Sequence, residues 1–345
     1  MMDVVVFADV HAHKHSQFST PDPEFGTNRM RHIILCLRQA RDYAIDNSIK
    51  HVFIVGDLFH SRGILSVEVY DLILDEIKAM KDMDLNVIIV AGNHDQANKS
   101  GSITSIKGLQ AYADVIERFF IDDDIAFIPF SESKEEIIEQ FAICRSKKVK
   151  RVFAHIPVAG GEMVDGYYSS SAYEVSLSDI QPKAFNFVAM GHYHIPQFIS
   201  NSNVFYLGSL LHHSFADSGQ AKGFWHMKLR SGEDQSVFCP TLYPKFIKAD
   251  LPDKKSLLKF LKEYNGNNFY KVVMSSKLSL PDTIDNVIIE VMQEEFKHKQ
   301  RLQGIGEGLS SSPMEVVEAY LRYKGISNIQ AYAAYANSVF SRLEK

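Results

Sequence analysis

Short apolar runs alternate with longer amphipathic segments through the first half of the chain. The short runs are rich in β-branched residues and predict buried strands at 4–8, 51–55, 86–91, 149–154 and 185–190. The longer segments carry apolar residues at helical spacing and predict helices at 29–47, 66–81 and 133–146. Strands that alternate with helices in this way indicate a layered α/β core.

The pattern changes after residue 203, where strand-like runs are joined by turns rich in Gly, Ser and Asp. These runs, at 203–209, 223–229 and 236–243, predict a second and more antiparallel sheet. The rest of the chain predicts, in order, a small α/β unit at 244–300, a Gly/Ser linker at 304–313, and helices at 313–324 and 327–343. The expected domains are 1–245, 246–303, and a linker with C-terminal helices at 304–345.

The amino-acid composition indicates a globular protein but does not indicate its function. With 46% hydrophobic residues, the 345-residue chain can bury a sizeable core. Its net charge of -5 provides no general attraction for nucleic acid, so such a partner would need a local site. The cysteines, Cys36, Cys144 and Cys239, lie far apart and are interpreted as buried residues in a reducing compartment. We find no signal peptide and no run of membrane-spanning length, and expect a cytoplasmic protein.

Five of the predicted strands end in short polar clusters. The clusters are Asp9-Val10-His11, Gly56-Asp57-Leu58-Phe59-His60, Gly92-Asn93-His94-Asp95, His155, and Gly191-His192-Tyr193-His194. In α/β folds the carboxyl ends of strands border one crevice in which ligands bind. We therefore expect these clusters to converge in space.

The clusters contain the donor atoms of a metal centre. The candidate ligands are Asp9, His11, Asp57, Asn93, His155, His192 and His194. Carboxylate, imidazole and amide donors without thiolates suit Mn²⁺, Fe²⁺ or Zn²⁺. The set is too large for one tetrahedral site with an open position, but it suits two ions that share a carboxylate.

The order D-x-H, G-D-x-x-H, G-N-H-D, a lone His and G-H-x-H resembles the calcineurin-like metallophosphoesterase superfamily. The forms GDLFHSRG, GNHD and GHYH resemble more narrowly the SbcD-type nuclease subunits of DNA repair and recombination, and the short chain resembles the T4-like phage version most. The resemblance implies a four-layer α/β/β/α sandwich with a small α/β capping domain and a C-terminal helical tail.

The same resemblance implies a role for each site residue. Asp9, His11 and His194 would hold the first ion, Asn93, His155 and His192 the second, and Asp57 would bridge them. His94 would face the scissile phosphate with its tautomer fixed by Asp95, and His60 would be a second phosphate-facing imidazole. The other histidines of the first motif, His13 and His15, are interpreted as part of a solvated loop, with substrate contact as the alternative. His212 and His213 are interpreted as rim residues or residues outside the site.

The implied activity is that of a DNA exonuclease and endonuclease that uses two divalent ions, most typically Mn²⁺, with Mg²⁺, Fe²⁺ or Zn²⁺ as other candidates. The implied partners are DNA, an SbcC-like ATPase of the SMC family, and a second copy of the chain, which would contact it through 62–81. If the chain is phage-encoded, it would act in the host cytoplasm. Two other functions stay open: a phosphoprotein phosphatase or small-molecule phosphodiesterase, and a scaffold with a vestigial site.

The last predicted helix carries an apolar stripe, Tyr332, Tyr335, Ala336, Val339, Phe340 and Leu343. This stripe suits either packing on the body of the protein or docking to the ATPase, and the sequence favours neither.

Overall fold

The computed structural model describes residues 2–98, 101–164, 166–168, 174–281, 284–292, 317–318, 320–322 and 324–343. The chain up to Glu290 forms one compact unit, and the chain from Val291 forms a second. The linker predicted at 304–313 and half of the helix predicted at 313–324 lie outside the described residues. Among the described residues, every helix is too short or too polar to cross a membrane.

The first of two six-stranded sheets has the strand order β16-β15-β1-β4-β5-β6. These strands are β1 (Met2–Phe7), β4 (His51–Val55), β5 (Asn86–Val90), β6 (Asp114–Ile116), β15 (Gly223–Leu229) and β16 (Gln235–Pro240). Strands β1, β4, β5 and β6 run parallel, whereas β15 pairs antiparallel with both β1 and β16. The carboxyl ends of the parallel strands therefore lie at one edge.

The second sheet has the strand order β13-β14-β12-β9-β8-β7. These strands are β7 (Phe120–Asp122), β8 (Ile125–Ile128), β9 (Arg151–His155), β12 (Phe187–Gly191), β13 (Gln197–Phe198) and β14 (Val204–Tyr206). Strands β8, β9, β12 and β14 are parallel, and the short edge strands β7 and β13 are antiparallel to their neighbours.

Helices cover the outer face of each sheet. They are α1 (Asn28–Asp46), α2 (Val67–Asp82), α3 (Lys134–Ser146) and α4 (Leu177–Ile180). One hydrophobic cluster joins α1 and α2 to the first sheet, and another joins α3 and α4 to the second. A third cluster lies between the sheets, where the Phe53 ring packs 5.3 Å from Phe127 and 5.1 Å from Phe153. The predicted four-layer α/β/β/α sandwich is confirmed.

Local sequence accounts for the helix boundaries. The Thr27 side chain accepts a hydrogen bond from the Met30 amide at the start of α1, and Ser133 accepts one from Glu136 at the start of α3. A side-chain oxygen at this position satisfies an amide that has no partner within the helix. Ser66 before α2 makes no such bond, yet all three helices predicted in the first half of the chain begin within one residue of their observed starts.

The expected sheet after residue 203 is wrong. Strand β14 pairs parallel with β12 in the second sheet, and β15 and β16 extend the first sheet beside β1. The antiparallel pairing of β15 and β16 is present, but it adds an edge to an existing sheet. Which strand pairs with which depends on the sheet edges that are free when the chain folds. The pattern of apolar and polar residues along one strand does not show which edge that is.

Residues 246–291 build a small sheet of their own from β17 (Phe246–Leu251), β18 (Phe269–Met274) and β19 (Val287–Val291). Helix α5 (Lys254–Glu263) connects the parallel strands β17 and β18. Leu251, Phe260 and Val272 belong to a separate hydrophobic cluster. The predicted domain boundaries at 245 and 303 stay predictions.

The remaining described elements are short or lie at the C-terminus. They are the strands β2 (Pro21–Asp22), β3 (Gly26–Thr27), β10 (Glu162–Val164) and β11 (Tyr167–Tyr168), three 3-10 helices at Lys107–Ala111, Pro182–Ala184 and Phe215–Asp217, and the C-terminal helix Ile329–Leu343. In the apolar stripe of that helix Tyr332 and Tyr335 are exposed, and the side chains of Val339, Phe340 and Leu343 lie outside the described set.

A buried arginine, Arg151, lies at the start of β9 in the second sheet and forms ion pairs there. This is the end of the sheet opposite the polar clusters. The Arg151 guanidinium lies 2.5 Å from Asp124 and 2.8 Å from Asp234, and the residue is only 5% exposed. We expect Arg151→Met to lower the free energy of unfolding by about 1–3 kcal/mol, because it leaves the half-buried carboxylate of Asp234 without its counter-charge. Urea denaturation measures this loss, with the exposed Lys150→Met as control. Equal effects of the two substitutions would contradict the expectation.

Candidate metal centre

The polar clusters of both sheets meet at one edge of the sandwich. Strands β1, β4 and β5 of the first sheet and strands β9 and β12 of the second end there. The structure brings together all seven side chains predicted as ligands: Asp9, His11, Asp57, Asn93, His155, His192 and His194. The seven ligands are contributed by both of the facing sheets, and neither sheet alone carries the whole set.

The first group of donors joins the end of β1 to the end of β12. One ligand atom each from Asp9, His11 and His194 lies within 4.8 Å of the others. The two histidines approach most closely, with 3.0 Å between His11 Nε2 and His194 Nε2. Two imidazole nitrogens at this distance need a proton or a cation between them, which suits this group to an ion.

The second group surrounds Asn93. Its side-chain oxygen lies 3.1 Å from His155 Nε2 and 2.9 Å from His192 Nδ1. His155 Nδ1 lies 2.9 Å from the Val55 carbonyl and donates to it. A hydrogen bond of this kind fixes the tautomer and directs the Nε2 lone pair into the centre, as in metal-ligating histidines generally.

Asp57 lies between the two groups. Its Oδ2 is 3.6 Å from His11 Nε2 and 3.4 Å from His155 Nε2, while its Oδ1 accepts a hydrogen bond of 2.7 Å from the His94 amide. Although burial opposes ionisation, His155 and His11 hold the pKa of Asp57 well below its usual range. Asp57 is therefore an ionised carboxylate in the position of a bridge.

The ionisation of Asp9 and His155 indicates that this buried site favours bound cations. Burial raises the pKa of Asp9 to about 7, and the charge of Asp57 adds to this. Although burial opposes protonation, Asp57 raises the pKa of His155 to about 9, so this buried point attracts positive charge. The donors are nitrogens and oxygens without thiolates, and together they fit divalent ions of the Mn²⁺, Fe²⁺ or Zn²⁺ class.

The backbone around the donors adopts conformations that are rare for residues with side chains. Asp9, Asp57 and His192 have φ values of 53°, 51° and 107°. Gly191 permits the close approach of the sheets, since a Cβ there would lie 2.2 Å from the Val55 carbonyl oxygen. Such strain persists when surrounding contacts enforce it, and it concentrates at functional sites.

The predicted phosphate-facing residues border the same centre. The rings of His60 and His94 stack at 5.3 Å, and the His94 ring lies 4.8 Å from that of His11. His94 Nδ1 lies 2.6 Å from the His60 carbonyl and donates to it. This bond leaves His94 Nε2 as the nitrogen available for proton transfer.

The role predicted for Asp95, fixing the His94 tautomer through its side chain, needs correction. The Asp95 carboxylate accepts hydrogen bonds from the amides of Leu58, Phe59 and Gly92. The His60 carbonyl fixes the His94 tautomer instead. Asp95 therefore holds together the two loops that carry Asp57 and Asn93.

Three histidines that the sequence did not count among the ligands lie beside the centre, and His213 takes the rim position that was one of its two predicted places. His213 Nε2 lies 3.0 Å from the Asp9 carbonyl, and its ring is 5.2 Å from that of His11. The rings of His13 and His15 lie 5.1 and 5.6 Å from that of His60. Both side chains are half-buried while Lys14, Ser16 and Gln17 beside them are exposed, which agrees with a solvated loop whose two histidines face His60. Alternate residues of an extended segment share a face, and the spacing of His11, His13 and His15 could have revealed them.

The loop that carries His13 and His15 is anchored to the small sheet of residues 246–291. The Phe18 ring stacks on Phe269 at 4.9 Å. The buried Arg29 donates to the Gln17 carbonyl, and its guanidinium lies 4.8 Å from the Phe246 ring. The loop is therefore packed at both ends.

A cleft of about 570 Å³ opens beside this histidine cluster. It is lined by His13, Lys14, His60, Ser61, Arg62, Ile64, Leu65 and Ser66. Arg62 is exposed, and its charge contributes to lowering the pKa of His192, to about 3, although burial is the largest cause. A cationic cleft next to the donors offers space and charge for an anionic substrate.

Comparisons with known proteins agree with this geometry. The sequence model of the calcineurin-like phosphoesterase family matches residues 2–266. The chain is 22% identical over 265 residues to the SbcD component of the nuclease SbcCD of Staphylococcus epidermidis, and the match covers 67% of this chain and 70% of that protein.

Two solved structures are also similar to the chain, each with 13% identity. A dimetal phosphatase from Danio rerio gives a TM-score of 0.41, over 69% of this chain and 98% of that one. The nuclease MPE of Pseudomonas putida gives a TM-score of 0.33, over 68% and 84%.

The family match covers every strand end that contributes to the centre, from Asp9 to His194. It confirms the resemblance drawn from the five motifs. Enzymes of this family use divalent metals. Membership of the family therefore explains why the chain buries a cluster of histidines and aspartates able to hold such ions. The chain belongs to the calcineurin-like phosphoesterase family.

Proposed function

We propose that this protein is a DNA nuclease of the SbcD type that hydrolyses phosphodiester bonds with two divalent ions. The observation that carries the proposal is the meeting of seven nitrogen and oxygen donors at one sandwich edge, with Asp57 between two groups. Asp9, His11 and His194 would hold the first ion, Asn93, His155 and His192 the second, and Asp57 both. The relative named as part of a nuclease supports the choice of substrate.

The two ions would supply Lewis acidity toward the phosphate and a water of lowered pKa. The chain itself supplies position and proton transfer. His94 holds its Nδ1 proton on the His60 carbonyl, so its Nε2 can deliver a proton to the leaving oxygen. His60 stacks on His94 and would orient a phosphate oxygen beside it.

The cleft beside the centre favours a polymeric substrate. Arg62 and Lys14 line it, and Lys14 pairs with Glu68 at its margin. The small unit at 246–303 would act as the capping domain, since the Phe18 and Arg29 contacts connect its strands to the loop at the centre. Flanking phosphates of a strand could then be bound while one phosphodiester is cleaved.

The partners implied by the resemblance remain part of the proposal. An SbcC-like ATPase would bind the C-terminal segment 304–345, and Mn²⁺ would be the working ion. Homodimerisation through 62–81 stays a prediction. The exposed apolar side chains of that segment include Ile64 and Val67, whereas Val69, Ile73 and Ile77 are buried within the protomer.

Parallel assays on end-labelled linear duplex DNA and on a chromogenic phosphodiester test the proposal. We expect Mn²⁺-dependent cleavage of both, with DNA degraded at far lower substrate concentration because the cleft binds several phosphates. A chelator should abolish both reactions. Preferential hydrolysis of the small substrate or of a phosphoprotein, with DNA left intact, would point to the phosphatase or small-molecule phosphodiesterase alternative.

A further inference from the structure

A buried ion pair lies outside the seven donors but adjoins two of them. Lys222 Nζ lies 2.7 Å from Asp217 Oδ1, and the two side chains are only 2% and 5% exposed. Lys222 directly precedes strand β15, and Asp217 lies in the loop after β14. The sequence assigned neither residue to the site.

Lys222 fixes the backbone of a first-ion donor. Its ammonium group donates to the His194 carbonyl at 2.7 Å and to Gln220 Oε1 at 2.8 Å, in addition to its contact with Asp217. An ammonium group has three protons, and these three acceptors satisfy them. The His194 carbonyl also accepts a bond from the Ser209 amide, so its peptide is held from two directions.

Asp217 reaches the first ion's donors from the other side. Its Oδ2 accepts hydrogen bonds from the amides of His213 at 2.9 Å and Ser214 at 3.0 Å. The His213 ring in turn donates from Nε2 to the Asp9 carbonyl at 3.0 Å. The pair thereby connects Asp9, which follows β1 in the first sheet, with His194, which follows β12 in the second.

Stability alone does not explain such a pair. Removing two charges from water costs about as much as their attraction returns, and apolar replacements of buried pairs are often neutral or stabilising. The pair does hold backbone groups in place. Lys222 binds the His194 carbonyl, and Asp217 binds the amides of His213 and Ser214. Outer-shell partners of this kind commonly determine how well ligands hold a metal.

We propose that Asp217 and Lys222 are positioning residues for the first ion, and that they act on Asp9 and His194 through His213 and the His194 carbonyl. The inference rests on the proposed assignment of Asp9, His11 and His194 to that ion. The pair makes no direct contact with Asp57, Asn93, His155 or His192 among the described contacts. The Asp9 carboxylate does accept the His192 amide at 3.1 Å, so we expect the first ion to be weakened most.

Isothermal titration with Mn²⁺ tests the inference on three full-length variants and the wild type. Lys222→Met removes the ammonium group. The double variant Asp217→Asn with Lys222→Met removes both charges, yet keeps an oxygen for the His213 and Ser214 amides. Lys228→Met, within strand β15 that Lys222 precedes and away from the centre, is the matched control.

We expect two ions to bind the wild type and Lys228→Met alike. In both Lys222 variants one ion should bind about 10- to 100-fold more weakly, with the other weakened far less. Cleavage of a chromogenic phosphodiester by these variants should recover as Mn²⁺ is raised, because the donors are displaced and not lost.

Each other outcome overturns the inference. Unchanged binding of two ions in both Lys222 variants removes the positioning role while leaving the proposed function intact. Equal weakening of both ions, or failure of both variants to fold by circular dichroism, assigns the pair to general structure. If the wild type itself binds no Mn²⁺, the proposed metal centre fails, and the inference fails with it.

Discussion

Asp57→Ala is expected to abolish tight binding of both ions and with it all phosphodiester hydrolysis. Asp57 Oδ2 lies 3.6 Å from His11 Nε2 and 3.4 Å from His155 Nε2, so one carboxylate serves both groups of donors. Loss of an outer-shell partner already costs about 10- to 100-fold in metal affinity, and loss of a shared ligand should exceed the upper figure. Mn²⁺ titration followed by elemental analysis measures the effect.

Asp84→Ala is the matched control for this prediction. Asp84 has a φ of 62°, close to the 51° of Asp57, but its side chain is 89% exposed and pairs with Lys50 at the surface. Both substitutions place alanine in a left-handed conformation at similar backbone cost. The control should bind two ions as the wild type does. An Asp57→Ala protein that still bound both ions tightly would disprove the bridging role.

His94→Ser is expected to retain both ions and to lose about 10²- to 10⁴-fold in kcat, the usual contribution of general acid catalysis. The His94 side chain donates to the His60 carbonyl, whereas its contact with Asp57 comes from the backbone amide, which serine retains. The substitution therefore removes the proton-transfer group and keeps the bridge. Steady-state kinetics on DNA, paired with Mn²⁺ titration, separate the two effects.

His51→Ser provides the comparison for His94. His51 begins β4 at the end of the strand opposite Asp57 and is half-buried. Its replacement should change neither kcat nor ion binding. Loss of one or both ions in His94→Ser would instead identify His94 as a ligand and would overturn its assigned role.

The convergence of the candidate ligands could be predicted from sequence because these residues follow strands. Runs such as HVFIV and NVIIV are buried and β-branched, and the strands they form, His51–Val55 and Asn86–Val90, lie where periodicity places them. The polar residue after each run then falls at the carboxyl edge. Where a ligand is tied to a strand end, a local pattern fixes its place in three dimensions.

Residues whose role depends on distant pairing were not predictable in the same way. The strand Ile125–Ile128 is an inner member of the second sheet, but four residues give too short a period to separate strand from helix. Asp217 and Lys222 belong to no recognisable motif. Their role can be seen only in the folded chain, where Lys222 contacts the His194 carbonyl. His213 acts on Asp9 across 204 residues of chain.

The division of the donors between two sheets has a consequence for how activity arises during folding. Asp9, His11, Asp57 and Asn93 follow strands of one sheet, and His155, His192 and His194 belong to the other. A chain in which only one layer has formed presents an incomplete set for either ion. The centre would therefore be completed late, at the closure of the sandwich, and a nascent or half-folded molecule would leave a phosphoester substrate uncut.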